Sequence, residues 1–318
     1  MASTRVPMPG RNTRSSAIWW LRAVALLAVL GFVGVFLVRD WGGISAGLRR
    51  LDGAGLAGAV GLALVGLLAA MLSWRAVLSG LGSRLPVLAA ARVYFLSQLG
   101  KYVPGSVWPV LAQAELSRDY GVPRARAGFA SVAQLLIGVV TGVIAAGATL
   151  AFSTSDALHT YWWLGFIAVA GVVAMTPAVF NRWVPLVFRA ARRSPTLETV
   201  APRTIAASAG WCFVMWAAFG AHAWVLARHM GADSPNLALL TTGAFALAWV
   251  VGFVIVVVPA GAGAREAALV LVLAPELGAD GALALALVSR FVMLLGDGLT
   301  ALAAVIAERS TLRKRPPG

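Results

Sequence analysis

Seven long apolar blocks constrain this chain more than any other feature of its sequence. Most hold about 20 residues or more, the length a helix needs to cross a hydrocarbon core about 30 Å thick. Of the 318 residues, 60% are hydrophobic and only 12% are charged, which excludes an ordinary soluble domain. The apolar residues do not alternate with polar ones, which excludes an outer-membrane barrel. The blocks are roughly 19–38, 54–73, 127–151, 161–180, 204–227, 237–258 and 282–306.

Two further apolar stretches, 93–114 and 259–274, are interrupted by proline and glycine. A break leaves backbone N–H and C=O groups without helical partners, and at membrane depth these groups must be buried in protein or face water. Such segments are therefore expected to be broken or re-entrant rather than single straight transmembrane helices. The sequence therefore predicts an all-α polytopic membrane protein with seven to eight transmembrane helices and two broken or re-entrant segments. Both breaks have the form Val-Pro-small-small, one in each half of the chain, which also suggests an internal repeat.

The basic residues predict how these helices are oriented. With a cytoplasmic N-terminus, 18 of the 26 lysines and arginines fall in cytoplasmic segments and four fall in outside loops. We therefore expect a multi-pass protein of the cell (plasma or inner) membrane with both termini in the cytoplasm. Its parts are a basic tail at 1–18, a single integral membrane domain at 19–306 and a second basic tail at 307–318.

The sequence contains none of the nucleotide-binding, zinc-protease or serine-hydrolase motifs that would indicate a soluble type of enzyme. We predict no catalytic residue, no metal and no cofactor, and no nucleic-acid partner despite the net charge of +14. Two carboxylates four residues apart, Glu115 and Asp119, leave a membrane-embedded transferase open as an alternative, although pairing with Arg118 and Arg124 is favoured. His222, inside an apolar block, is expected to pack rather than to bind a ligand.

Ionisable side chains at membrane depth are the strongest functional signal. Each costs roughly 2.5–3.5 kcal/mol to insert and therefore indicates either a function or an ion pair. Interrupted helices also present free N–H groups that attract anions. We predict a binding site for a headgroup or phosphate formed by Lys101, Arg265, Arg290, Glu266 and Asp297. The backbone breaks beside it are predicted at Gly100, Pro104, Gly105, Pro259, Gly261 and Gly263.

A structural alternative uses the same residues. Arg290 and Asp297 are seven residues apart and share one helix face, and Arg265 precedes Glu266 directly. In this alternative, each arginine neutralises the carboxylate nearest to it in sequence, and the pairs only hold helices together.

Two motifs resemble the lysylphosphatidylglycerol synthase transmembrane family. Residues 94–115, YFLSQLGKYVPGSVWPVLAQAE, are similar to its Gly-Lys-Tyr-hydrophobic-Pro-Gly signature. Residues 258–269, VPAGAGAREAAL, are similar to its Pro-Gly-Gly-x-Gly-x-Arg-Glu-Ala signature, with Ala260 where the family usually has glycine. Arg290 resembles an arginine of a late helix in the family. The resemblance covers the chain from about residue 20 to residue 306.

The resemblance implies a function. The family forms the membrane half of proteins that aminoacylate phosphatidylglycerol and flip the product, and no synthase domain follows in this sequence. We therefore expect a flippase-like lipid translocase, acting on a phospholipid or a polyprenyl-phosphate-linked headgroup, with membrane lipids as its partners. The alternatives are a secondary transporter for a small solute or ion, and a non-catalytic partner of a separate lipid-modifying or glycosyl-transferring enzyme of the cell envelope.

Overall fold

The computed structural model describes most of the chain, and every regular element within the described residues is a helix. This confirms the all-α fold class. The described residues are 51–103, 107–153, 157–182, 199–254 and 263–313, with isolated positions between 27 and 50. The predicted features that lie outside them are Pro104, Gly105, Pro259, Gly261, the tail 1–18, most of the block 19–38 and the end of the tail 307–318.

The helices agree with the apolar blocks. Six of the seven predicted blocks each correspond to a helix, and four of the described helices are long and apolar enough to cross a membrane. The helices are α1 (Gly53–Gly80), α2 (Val87–Gln98), α3 (Trp108–Leu116), α4 (Arg124–Ala151), α5 (Ala157–Met175), α6 (Pro202–His229), α7 (Leu237–Val254) and α8 (Ala264–Arg313). Those that meet the length and hydropathy criteria are α1, α4, α6 and the range Ala264–Ala307 of α8.

Helices α1 and α6 run antiparallel and contact each other along their whole length. The first turn of α1 lies beside the last residue of α6, because Gly55 contacts His229. The opposite ends also meet, where Gly80 contacts Thr204. Close approach of small residues is how helices associate in a membrane, where burial of apolar surface gives little driving force. We call this contact the α1–α6 interface.

The broken stretch 93–114 folds into two short helices. Helices α2 and α3 have 12 and nine residues and contact each other, joined by the 3₁₀ turn Leu99–Tyr102 and residues 103–107. At about 1.5 Å per residue neither helix reaches across a hydrocarbon core of about 30 Å. The α2–α3 hairpin (87–116) therefore has the form expected of a re-entrant segment. It contacts α8 through α2 and α4 through α3.

The second broken stretch differs from the prediction in one respect. Helix α8 begins at Ala264 and continues past residue 274, through Pro275, to a kink at Gly278. Gly278 has φ 71° and ψ 162°, a left-handed conformation that favours glycine. Glu276 and Asp280 lie in the helix on either side of this kink. The long C-terminal part of α8 then carries Arg290 and Asp297.

Candidate functional site

A cavity of about 220 Å³ lies between α1, α4, α6, α7, α8 and the α2–α3 hairpin. Leu67 and Met215 line it, and each lies at the midpoint of a 28-residue helix, α1 and α6 respectively. Since a helix rises 1.5 Å per residue, both ends of these helices are about 20 Å away. The cavity therefore lies at the mid-depth of these two long apolar helices. Cavities at this depth are where transporters bind their substrates.

The carboxylate of Asp297 is the most deeply buried charge beside this cavity. Its side chain is 2% exposed, and its Oδ2 atom forms an ion pair with Lys101 Nζ at 2.6 Å. The hydroxyl of Tyr102 donates a second hydrogen bond to the same carboxylate oxygen, at 2.5 Å. Both partners lie on the 3₁₀ turn of the α2–α3 hairpin, so Asp297 ties this turn to α8.

Gly100 allows this turn to approach the start of α3. A side chain at residue 100 would place its Cβ 3.2 Å from the backbone of Trp108 and Pro109. That separation is shorter than ordinary van der Waals contact, so a larger residue would push the two helices of the hairpin apart. Gly100 was predicted as part of the first backbone break, and it lies at the point where the hairpin closes.

Glu266 organises the second charged group, at the start of α8. One carboxylate oxygen accepts a hydrogen bond from the backbone N–H of Gly263 at 2.6 Å, which caps the first turn. The other oxygen accepts a hydrogen bond and ion pair from Arg290. The side chains of Glu266 and Arg290 are 12% and 13% exposed. Gly263 has φ 83°, so the predicted break at this residue is a left-handed turn into the helix.

Arg265 is held differently from the other two cations. Its guanidinium lies over the ring of Phe245, 4.5 Å from the ring centroid. Its Nη2 atom is buried and has no hydrogen-bond partner among the described residues. Arg265 also interacts electrostatically with Arg290, Tyr102 and Asp297, so the charged side chains form one group. Arg265, the only one of the three cations not in an ion pair among the described residues, lines the cavity.

The structure therefore brings all five predicted ionisable residues together. We call Lys101, Arg265, Glu266, Arg290 and Asp297 the charged cluster; it carries three positive and two negative charges. The pairs differ from those of the structural alternative, because Arg290 pairs with Glu266 and Lys101 pairs with Asp297. The reason is geometric: two helical turns separate Arg290 from Asp297 by about 10.5 Å along the axis, so each reaches another segment instead.

Sequence reasoning missed the neutral polar side of the cavity. Gln113 is 3% exposed, and its carbonyl oxygen accepts a hydrogen bond from the Ser131 hydroxyl. Ser131 in turn accepts one from Trp74 Nε1 at 3.3 Å. The signal was present in composition: the chain has only three glutamines, and all three line this cavity. A buried amide needs partners, so such residues in apolar helices indicate a polar site. The glutamines are Gln98, Gln113 and Gln134.

The remaining polar candidates have structural partners. Glu115 forms ion pairs with Arg118 at 3.0 Å and Arg124 at 2.5 Å, as the favoured interpretation predicted. Asp119 lies 3.7 Å from Arg92. Each carboxylate therefore has an arginine partner.

His222 also has a partner at each ring nitrogen. Nε2 lies 3.0 Å from the Ser289 hydroxyl, and Nδ1 lies 3.3 Å from the carbonyl oxygen of Ala59. The side chain is fully buried and links α6 to α8 and α1. These contacts agree with the packing role expected from the sequence.

Comparison with known proteins agrees with the two signature motifs. The family model described as the lysylphosphatidylglycerol synthase TM region matches residues 19–299. This range contains the complete charged cluster and all three glutamines. No curated protein matches the chain. Since the match covers most of the sequence, the chain belongs to the family of lysylphosphatidylglycerol synthase transmembrane regions.

Proposed function

We propose that this protein is a lipid translocase of the cell membrane that moves an anionic headgroup between leaflets and catalyses no chemical conversion. The observation that carries the proposal is Arg265. It lines a cavity at the middle of the helices, and a buried atom of its guanidinium lacks a hydrogen-bond partner among the described residues. A buried cation with an unused donor is costly unless a ligand supplies the missing acceptor. A phosphate oxygen is such an acceptor, and arginine is well suited to binding it.

The remaining walls of the cavity suit an amphipathic molecule. Leu67, Met215 and Phe219 form an apolar side, and Trp249 stacks on Phe253 at 5.6 Å. Lys101, Arg265, Arg290 and the three glutamines form the polar side. A headgroup could occupy the polar side while its acyl or prenyl chains remain in the bilayer. Lys101 and Arg290 are held by carboxylates, which orient them and limit the net charge that the membrane interior must hold.

The proposal assigns distinct roles within the cluster. Arg265 contacts the phosphate; Glu266 positions Arg290 and caps α8; Asp297 positions Lys101 and fixes the hairpin turn. Movement of one headgroup charge across 100 mV is worth about 2.3 kcal/mol, so membrane potential alone can drive transport of an anion.

A second function is supported by the size of the cavity. About 220 Å³ is smaller than the roughly 300–1,000 Å³ typical of sites for drug-sized ligands. A free organic anion of a few heavy atoms would fill it, which favours a small-solute transporter as the alternative. A scaffold role beside a separate lipid-modifying enzyme would not require a mid-depth arginine with a buried donor that no described residue accepts.

Reconstitution into liposomes tests the proposal. Wild type should transfer a fluorescent phosphatidylglycerol, labelled on an acyl chain, between the two leaflets. External dithionite quenches the label in the outer leaflet and therefore measures the fraction of lipid there. Arg265→Gln should reduce the rate about 10- to 100-fold, since a lost ionic hydrogen bond is worth about 1.5–3 kcal/mol. Arg228→Gln is the matched control, because Arg228 pairs with Asp233 outside the cavity. Equal rates in wild type and Arg265→Gln contradict the assignment of Arg265.

A further inference from the structure

The cavity offers many hydrogen-bond donors and no unpaired carboxylate among the described residues that line or adjoin it. Glu266 is occupied by Arg290 and the Gly263 N–H, and Asp297 is occupied by Lys101 and Tyr102. The cluster retains one excess positive charge. An ammonium group is a donor only and needs an acceptor, preferably an anionic one. Such a group would meet the repulsion of Arg265 without a free carboxylate to offset it.

Gln113 shows how the neutral side is oriented. The hydrogen-bond chain from Trp74 through Ser131 ends on the Gln113 carbonyl oxygen. Because one end of the amide is engaged in this way, the NH₂ group at the other end carries its two donors. Trp74 and Ser131 are buried, and the Ser131 hydroxyl, which also lies 2.8 Å from the carbonyl oxygen of Ala127, contacts an amide that lines the cavity. The other two glutamines, Gln98 and Gln134, also line the cavity.

Amide groups recognise hydroxyls well, because they both donate and accept. Three amide groups and one excess positive charge line the cavity. The positive charge suits a phosphate, and the amides suit hydroxyl groups attached to that phosphate. We infer that the cavity selects a phosphate-linked polyol, such as a glycerol or sugar phosphate headgroup, over a headgroup with an ammonium group. This inference rests on the proposed function, and it names the class of headgroup that the proposed translocase would accept.

Three lipid probes separate the contributions of the phosphate, the hydroxyl groups and the ammonium group to transport in liposomes. Phosphatidylglycerol has the phosphate and hydroxyls, phosphatidylmethanol has the phosphate without hydroxyls, and phosphatidylethanolamine has the phosphate with an ammonium group. Wild type should move phosphatidylglycerol at least tenfold faster than phosphatidylethanolamine, with phosphatidylmethanol between them. Equal rates for the first and the third, together with clear transport of both, would overturn the inference and leave translocation standing.

A charge change at Gln113 tests the mechanism of selection. Gln113→Glu retains an oxygen that accepts from Ser131, but replaces the donating amide with a carboxylate. The ratio of phosphatidylglycerol to phosphatidylethanolamine transport should then fall by about tenfold or more. Asn236→Asp is the matched control, because it adds the same charge at an exposed residue outside the cavity. An unchanged ratio in Gln113→Glu contradicts the role assigned to the amide.

Binding of soluble headgroup analogues distinguishes the lipid from a free anion. Thermal stabilisation of detergent-purified protein by glycerol 3-phosphate should exceed stabilisation by phosphoethanolamine at equal concentration, and Arg265→Gln should abolish both. Preference for glycerol 3-phosphate without transport of any lipid probe would overturn the translocase and support the same chemistry in a free organic phosphate. Equal stabilisation by the two analogues would overturn the headgroup inference whether or not lipids are moved.

Discussion

The α1–α6 interface and the charged cluster differ in how they affect the stability of the membrane domain. At the interface, glycine and small polar residues let two helices approach closely; Ser73, for example, lies 2.8 Å from Ser208. In the cluster, three cations and two carboxylates are gathered where α8 meets the hairpin, and the Nη2 atom of Arg265 has no acceptor among the described residues. Packing stabilises the first region, whereas burial of an excess charge costs stability in the second. We infer that the cluster is retained for binding.

Removal of Asp297 should give the largest loss of stability. Asp297→Asn keeps the shape of the side chain but leaves the Lys101 ammonium without its carboxylate. Breaking one side of a buried ion pair costs about 3–5 kcal/mol. Thermal or denaturant unfolding in detergent micelles measures the loss.

A double variant tests whether the stability lost in Asp297→Asn comes from its ion pair with Lys101. In Lys101→Gln/Asp297→Asn neither charge remains, so much of the stability lost in Asp297→Asn should return. If instead the losses of the two single variants add, Lys101 and Asp297 do not interact energetically.

The glycines of the tightly packed helices should tolerate no added methyl group. In Gly220→Ala, the new Cβ of α6 would lie 2.6 Å from Thr242 Cβ and 2.7 Å from Thr242 Cα on α7. Because one of these atoms is backbone, the helices must move apart, at a cost of about 1–3 kcal/mol. Gly210→Ala is the control on the same helix, since a Cβ there has nothing within 4 Å. Similar melting temperatures for the two variants would contradict close packing at Gly220.

Replacement of Arg265 should raise stability while it abolishes transport. Arg265→Met removes the excess charge and retains an apolar side chain beside Phe245. Its free energy of unfolding should rise by about 0.5–2 kcal/mol, the usual gain when a functional site is neutralised. Transport should be lost in the same variant. A melting temperature clearly below that of wild type would assign Arg265 to the structure rather than to ligand binding.

Much of this architecture could be predicted from the sequence, because helices in a membrane need long apolar blocks and tolerate few charges. The same rule identified the five residues of the charged cluster. Their partners could not be predicted, since pairing depends on which segments fold together: Lys101 pairs with Asp297, which lies 196 positions later in the sequence. The link from Trp74 to Ser131 is also set by tertiary contact. Glutamine was overlooked because it carries no charge, although its scarcity in this chain was informative.

The smallest predicted effect concerns the start of α1, at the edge of the α1–α6 interface. The Asp52 carboxylate accepts the Gly55 N–H at 2.6 Å, and this hydrogen bond holds the pKa of Asp52 below its usual value of 3.8. The cap therefore contributes stability above pH 3.8, and the contribution is lost as the pH falls through the lower pKa of the folded protein. Asp52→Asn keeps a capping oxygen without a titrating group. Melting temperatures from pH 5 downwards, at about half-unit steps, should fall slightly more in wild type than in Asp52→Asn; parallel curves would show that this cap does not contribute to acid sensitivity.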